Sequence, residues 1–114
     1  MQGRVDVEAG ICLHTTSAMA SSEDMRMVTF SVETSCPNIE RMREIVAGGQ
    51  LFDAYHEIDS RIEGEIVAAG RTARACTDCV VPVSLIKALR IAAGLAMVKD
   101  VNISLAQEES PAPA

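Results

Sequence analysis

The hydrophobic period of this chain changes abruptly at Ser35-Cys36-Pro37. Before that point Val28, Phe30 and Val32 alternate with Met27, Thr29, Ser31 and Glu33, which is the two-residue period of a strand with one buried face. After it Ile39, Met42, Ile45 and Val46 recur at helical spacing, with Ser35 reading as an N-cap and Pro37 pre-organised for the first helical turn. A strand over 25–34 therefore runs almost directly into a helix.

The same test applied along the chain gives the order β-β-α-α-α-β. Val5 to Glu8 alternate apolar and charged before Ala9-Gly10 interrupts, and Ile11 to Ala20 reads as the first strand. Ser21 to Asp24 is a polar turn, so the two strands form an antiparallel hairpin. Gly48-Gly49 stops the first helix, and Leu51 to Tyr55 suits one further turn. Asp59 or Ser60 caps a second helix with Ile62, Ile66 and Val67 on its stripe and Gly70 at its end. A third helix spans 83–97, with Val83, Ile86, Leu89 and Ala93 as its apolar stripe. Val101, Ile103 and Leu105 alternate with polar residues and read as a last strand pairing with the hairpin. Strands and helices are segregated, so the class is α+β, with a small, mainly antiparallel sheet packed on one side by helices. One domain covers 1–106, and the Pro-bearing stretch 107–114 reads as a loose tail.

At 114 residues the chain is too short for two cores. Sixteen acids against ten Lys and Arg give a net charge of -6, and there are two Phe, one Tyr and no Trp. Nucleic acid is a poor partner for such a surface, because phosphate binding needs clustered cations and base stacking needs aromatics. No apolar run suits a membrane span, and the first residues lack the basic and apolar segments of a secretory signal. The chain reads as soluble and cytoplasmic.

The cysteines carry the chemistry. In a reducing compartment, four thiols at Cys12, Cys36, Cys76 and Cys79 pose a question of metal binding or reactivity rather than of disulfides. With the hairpin turn centred near Ser22-Glu23, antiparallel pairing puts Cys12 opposite Glu33, and Cys36 lies at the same open end. Cys36 precedes one Pro-started helix and Cys79 another. Helix starts carry partial positive charge and free N–H groups that favour thiolate. Converging there, Cys12, Cys36 and Cys79 would hold zinc or an iron–sulfur cluster, with Cys76 or His14, on the same strand face as Cys12, as a further ligand. Two other readings stand beside it: cysteines that only fill space in a protein built for self-association, and thiol-redox chemistry.

Elsewhere the signals are thin. His56 has no neighbouring nucleophile and suits a surface or capping role. Glu63 and Glu65 fall on different helix faces. Gly48-Gly49 lacks the Lys and Ser/Thr of a phosphate loop. Nothing marks a catalytic residue, so the reading leans towards a binding protein.

Three segments taken together carry a resemblance. They are Gly10-Ile11-Cys12 with Thr15-Thr16, then Ser35-Cys36-Pro37, then Cys79-Val80-Val81-Pro82 followed by Leu85-Ile86-Lys87-Ala88, Ala93-Gly94-Leu95-Ala96 and Lys99-Asp100-Val101. The chain resembles a small uncharacterised domain family of anaerobic bacteria and methanogenic archaea, except in the tail and weakly over 48–75. The resemblance implies that Cys12, Cys36 and Cys79 are the recurring cysteines and that Cys76 stands outside the pattern. It implies an anaerobic host and no assigned activity. Leu13 stands where that family has Gly, and Met97-Val98 where it has Leu-Pro. An open sheet edge usually finds a partner, so a homo-oligomer, most simply a dimer, is expected.

Overall fold

A computed structural model describes residues 1–109. Strands β1 (Gln2–Glu8), β2 (Thr15–Ser21), β3 (Met27–Thr34) and β4 (Phe52–Asp53) form one antiparallel sheet in the order β1-β2-β3-β4. Helices α1 (Pro37–Val46), α2 (Ala54–Glu57), α3 (Glu65–Thr72) and α4 (Val81–Ala92) complete the fold. The class is α+β, with helices packing against the sheet.

The alternation in β2 and β3 decides which face is covered. Ala18, Ala20, Val28, Phe30 and Val32 point into the core, where they meet Ile39, Met42 and Val46 of α1, Ile66 of α3, and Leu85, Ala88, Leu89 and Ala92 of α4. Phe30 and Phe52 meet edge to face with ring centroids 5.7 Å apart, the arrangement their quadrupoles favour. Burying side chains the size of Ile39, Leu85 and Leu89 contributes roughly 1.5–3 kcal/mol each. The opposite face carries Arg4, Asp6, Ser17, Ser31 and Glu33 and stays wet.

Phe52–Asp53, read as part of a further helical turn, is the short strand β4, and the second expected helix begins at Glu65 rather than after a cap at Asp59 or Ser60, leaving Ile62 exposed outside it. Three further departures concern the sheet. Gln2–Glu8 is a full strand, paired along its length with Thr15–Ser21. The short alternation of Val5 to Glu8 was its signal, and Met1 secures its start through mutual backbone bonds with Ser22 at 2.7 and 2.9 Å. The hairpin register is also shifted: Ser17, not Cys12, faces Glu33. The turn reaches on to Arg26, because the Asp24 carboxylate accepts the N–H groups of Arg26 and Met27 at 3.0 and 2.8 Å while Met25 takes a left-handed φ of 61°. Third, Val101 to Leu105 is not a strand and is exposed throughout. Its expected place beside the hairpin is filled by β1.

The helices shift less. Gly70 lies inside α3 rather than ending it, and its lack of a side chain leaves room for Pro82, whose Cγ would lie 3.0 Å from an added Cβ. Helix α4 starts two residues early and stops at Ala92, before Gly94 turns the chain with φ 72°. Its buried stripe is Val81, Leu85, Ala88, Leu89 and Ala92, and Val83 points outward. Of the tail, Gln107 to Glu109 are exposed without regular structure, and 110–114 lie outside the described residues. Among the described residues no helix is long and apolar enough to cross a membrane.

Candidate functional site

One end of the sheet is built from polar cross-links. Thr16 and Thr34 join their hydroxyls at 2.8 Å, the Ser35 N–H reaches the Thr15 carbonyl at 3.1 Å, and the Thr15 N–H reaches the Ser35 hydroxyl at 3.1 Å. The Thr34 hydroxyl in turn accepts the Cys36 N–H at 3.1 Å. Cys36 is thereby fixed as the N-cap of α1, with Pro37 following it. Ser35, expected to be that cap, instead ties the hairpin end to His14, whose Nδ1 lies 3.1 Å from the Ser35 hydroxyl.

Cys12 reaches the same end from β1. Gly10–Cys12 forms a 3-10 turn, closed by the Leu13 N–H on the Gly10 carbonyl at 2.9 Å, with Leu13 at φ 63°. Cys12 is thus on a loop tip rather than a strand, and the expected common strand face with His14 does not exist, because Leu13 turns the chain between them. A left-handed φ suits Gly best, which gives the Leu13 departure a structural setting. The Leu13 side chain stands 87% exposed.

Cys76 and Cys79 come from the α3–α4 connection, in a turn closed by the Cys79 N–H on the Cys76 carbonyl at 3.0 Å. The course of α4 sets where that turn lies. Ala88 and Ile91 of α4 press on Gly3 at the start of β1, and Gly94 sits against the Met25 methyl in the β2–β3 turn. The C-terminal end of α4 is therefore at that turn. Its N-terminal end, with Cys79, is at the opposite end of the sheet, where Glu8, Thr15 and Thr34 lie.

The electrostatics agree with this placement. Burial pushes the Cys79 thiol above the ordinary range, and negative charge on Cys36, Cys76 or Cys12 pushes it further, so all three neighbours are near enough to be felt. The Val81 N–H pulls the other way and loses. The expectation that a helix start makes this thiol acidic is corrected: desolvation outweighs the helix end here. All four cysteines are free thiols. Cys36 and Cys79 are half-buried against the core, whereas Cys12 and Cys76 are exposed.

Cys12, Cys36, Cys76, Cys79 and His14 thus share one end of the molecule. Among the described residues no three His, Cys, Asp or Glu side chains stand together as a ready metal cage. Sequence reading missed Glu57, a buried carboxylate that accepts the N–H groups of Glu65 at 3.0 Å and Ile66 at 2.6 Å. Both oxygens are engaged in starting α3. No local spacing announces this, since the cap lies eight residues before its helix.

No curated protein matches the chain, and no solved structure matches it. A family model matches residues 3–105, which takes in every cysteine and every strand and helix but the outermost residue of β1. The chain belongs to that family, a family of unknown function (DUF6951).

Proposed function

We propose that this protein binds a metal ion or an iron–sulfur cluster through Cys12, Cys36, Cys76 and Cys79, with His14 as an alternative ligand. The observation that carries the reading is the delivery of four thiols, from three separate chain segments, to one end of the sheet. Zinc and iron–sulfur clusters both take four such donors. Cys36 and Cys79 are the fixed pair, seated at the starts of α1 and α4. Cys12 and Cys76 sit on exposed turns and would complete the donor set, supplying thiolate ligands to the ion. Four unpaired thiols suit a reducing cytoplasm, and an anaerobic host of the kind the family resemblance implies would protect a cluster from oxygen.

The raised Cys79 thiol speaks against that residue as a fast nucleophile at neutral pH, because the thiolate is the reactive form. It also sets a pH dependence. Below its raised pKa the thiol keeps its proton, and a metal must displace it, so affinity climbs with pH by about tenfold per unit for each proton released. Zinc titrations of the full chain between pH 6 and 8 are expected to show this rise together with proton release into the medium. A flat profile would exclude Cys79 from the ligand set.

The direct test is anaerobic purification followed by metal analysis and a visible spectrum. About one zinc per chain, or iron and sulfide with cluster absorption, is expected. Cys36→Ser and Cys79→Ser are expected to lose it while folding normally. Absence of both metals, before and after reconstitution, overturns the metal reading.

A further inference from the structure

We propose that Cys76 and Cys79 form a reversible disulfide by exchange with small-molecule disulfides, Cys76 attacking and Cys79 resolving. The proposal rests on the turn that joins the two residues and is independent of the metal reading.

The turn sets the reach. The Cys79 N–H meets the Cys76 carbonyl at 3.0 Å, which closes a β-turn and brings the two Cα atoms within about 7 Å. Neither Thr77 nor Asp78 has a positive φ, so type II and the mirror-image turns are excluded and the backbone is that of a type I turn. Its helix-like dihedrals stack the first and fourth residues on one side of the chain. A disulfide spans Cα separations of roughly 4.4–6.8 Å and needs side chains that face the same way. This turn suits both demands. Among the described residues no hydrogen bond ties Cys12 or Cys36 to it.

Exposure sets the order of attack. Cys76 is exposed and Cys79 half-buried, and both are free thiols. A dissolved disulfide therefore reaches Cys76 first. Cys79 is a slow nucleophile towards solution, but towards a neighbour this close it acts at a far higher effective concentration. The loop between the two is too short to constrain the unfolded chain much, so the bridge adds little to fold stability and stays open to reduction.

The exchange balances over two steps. The Cys76 thiolate attacks one sulfur of a small disulfide of the glutathione type. That S–S bond breaks, one half leaves as a thiolate, and the other half stays on Cys76. Cys79 then gives up its proton and attacks the Cys76 sulfur. The mixed bond breaks and the second half leaves as the Cys76–Cys79 bond forms. The departing thiolates take up the protons that the cysteines release. The chain loses two electrons and the small disulfide gains them.

The test equilibrates the full chain with mixtures of oxidised and reduced glutathione, in the presence of a chelator so that no bound ion masks the thiols. Alkylation and tryptic digestion follow, read by mass spectrometry. Cleavage after Arg74 and Lys87 releases residues 75–87, which hold Cys76 and Cys79 and no other cysteine, and cleavage after Arg26 and Arg41 isolates Cys36 in residues 27–41. The 75–87 peptide is expected to become lighter by two hydrogens and closed to alkylation, and to revert fully in reduced glutathione. Cys79→Ser is expected to lose the bridge and stop at the mixed disulfide on Cys76; the unsubstituted chain alone decides the matter if that variant fails to fold. A 75–87 peptide that stays reduced, or that carries glutathione without ever closing, overturns the proposal. So does a cross-link between the 27–41 and 75–87 peptides in place of the internal bridge, which would make Cys36 the partner.

Discussion

Gly3→Ala is expected to lower the unfolding free energy by about 3 kcal/mol and the melting temperature by roughly 10–20 °C. The reason is the closeness of α4 to β1. A Cβ on residue 3 would overlap the Ala88 carbonyl oxygen and lie 2.9 Å from the Ile91 Cβ. Backbone cannot yield as the tip of a flexible side chain can. Nor can β1 slide, because Gly3 is paired with Ala20 and Met1 is bonded to Ser22 in both directions. The helix must lift, and with it the contacts of Ala88, Leu89 and Ala92 on the sheet. The sign is informative, since Gly to Ala in open extended chain normally stabilises by restricting the unfolded state. Denaturant melts of the two proteins decide the matter: an unchanged or higher midpoint would show that α4 does not bear on Gly3.

The same contact shows why part of this fold was legible and part was not. Alternation in β3 and helical spacing in α1 are local patterns, and both elements formed where the pattern placed them. The identity of the first strand was harder. Val5 to Glu8 alternate over four residues, too few to outweigh a competing run at Ile11 to Ala20, and Gly3 gave no hint that it serves a helix eighty residues away. The C-terminal alternation was real as a pattern, yet pattern alone does not say which edge is vacant, and β1 had filled the one beside β2.

The cysteine end was legible in outline for a different reason. Placing Cys36 and Cys79 at helix starts needed only Pro37 and Pro82, and bringing both starts to one side needed only chain reversal, but among the described residues the thiols do not gather into a group of three. The register error moved Cys12 off the strand without moving it from that end, because the hairpin opens there in either register. Acidity was misjudged because a sequence shows the helix start and hides the burial. For Cys79 the burial is the larger effect.

Glu57→Ala is expected to cost about 3 kcal/mol, through two N–H groups left without acceptors at the start of α3. The Glu57 side chain is 1% exposed, one oxygen meeting the Glu65 N–H and the other the Ile66 N–H. Negative charge at a helix start adds to this through the helix dipole. Glu57→Gln keeps one acceptor and turns an NH2 towards the other N–H, so it should cost about half as much. Gly64 is part of the same arrangement. A Cβ there would meet the carboxylate oxygens at 2.9 and 3.0 Å, so Gly64→Ala displaces the group that Glu57→Ala removes. The two substitutions should therefore be strongly non-additive, with Gly64→Ala costing much less in the Glu57→Ala background than alone. Urea melts of the four proteins measure that coupling, and hydrogen exchange at Glu65 and Ile66 reports the freed amides. Simple additivity, or a loss under about 0.5 kcal/mol for Glu57→Ala, would mean that water caps α3 as well as the carboxylate does, and the buried acid would then need another purpose.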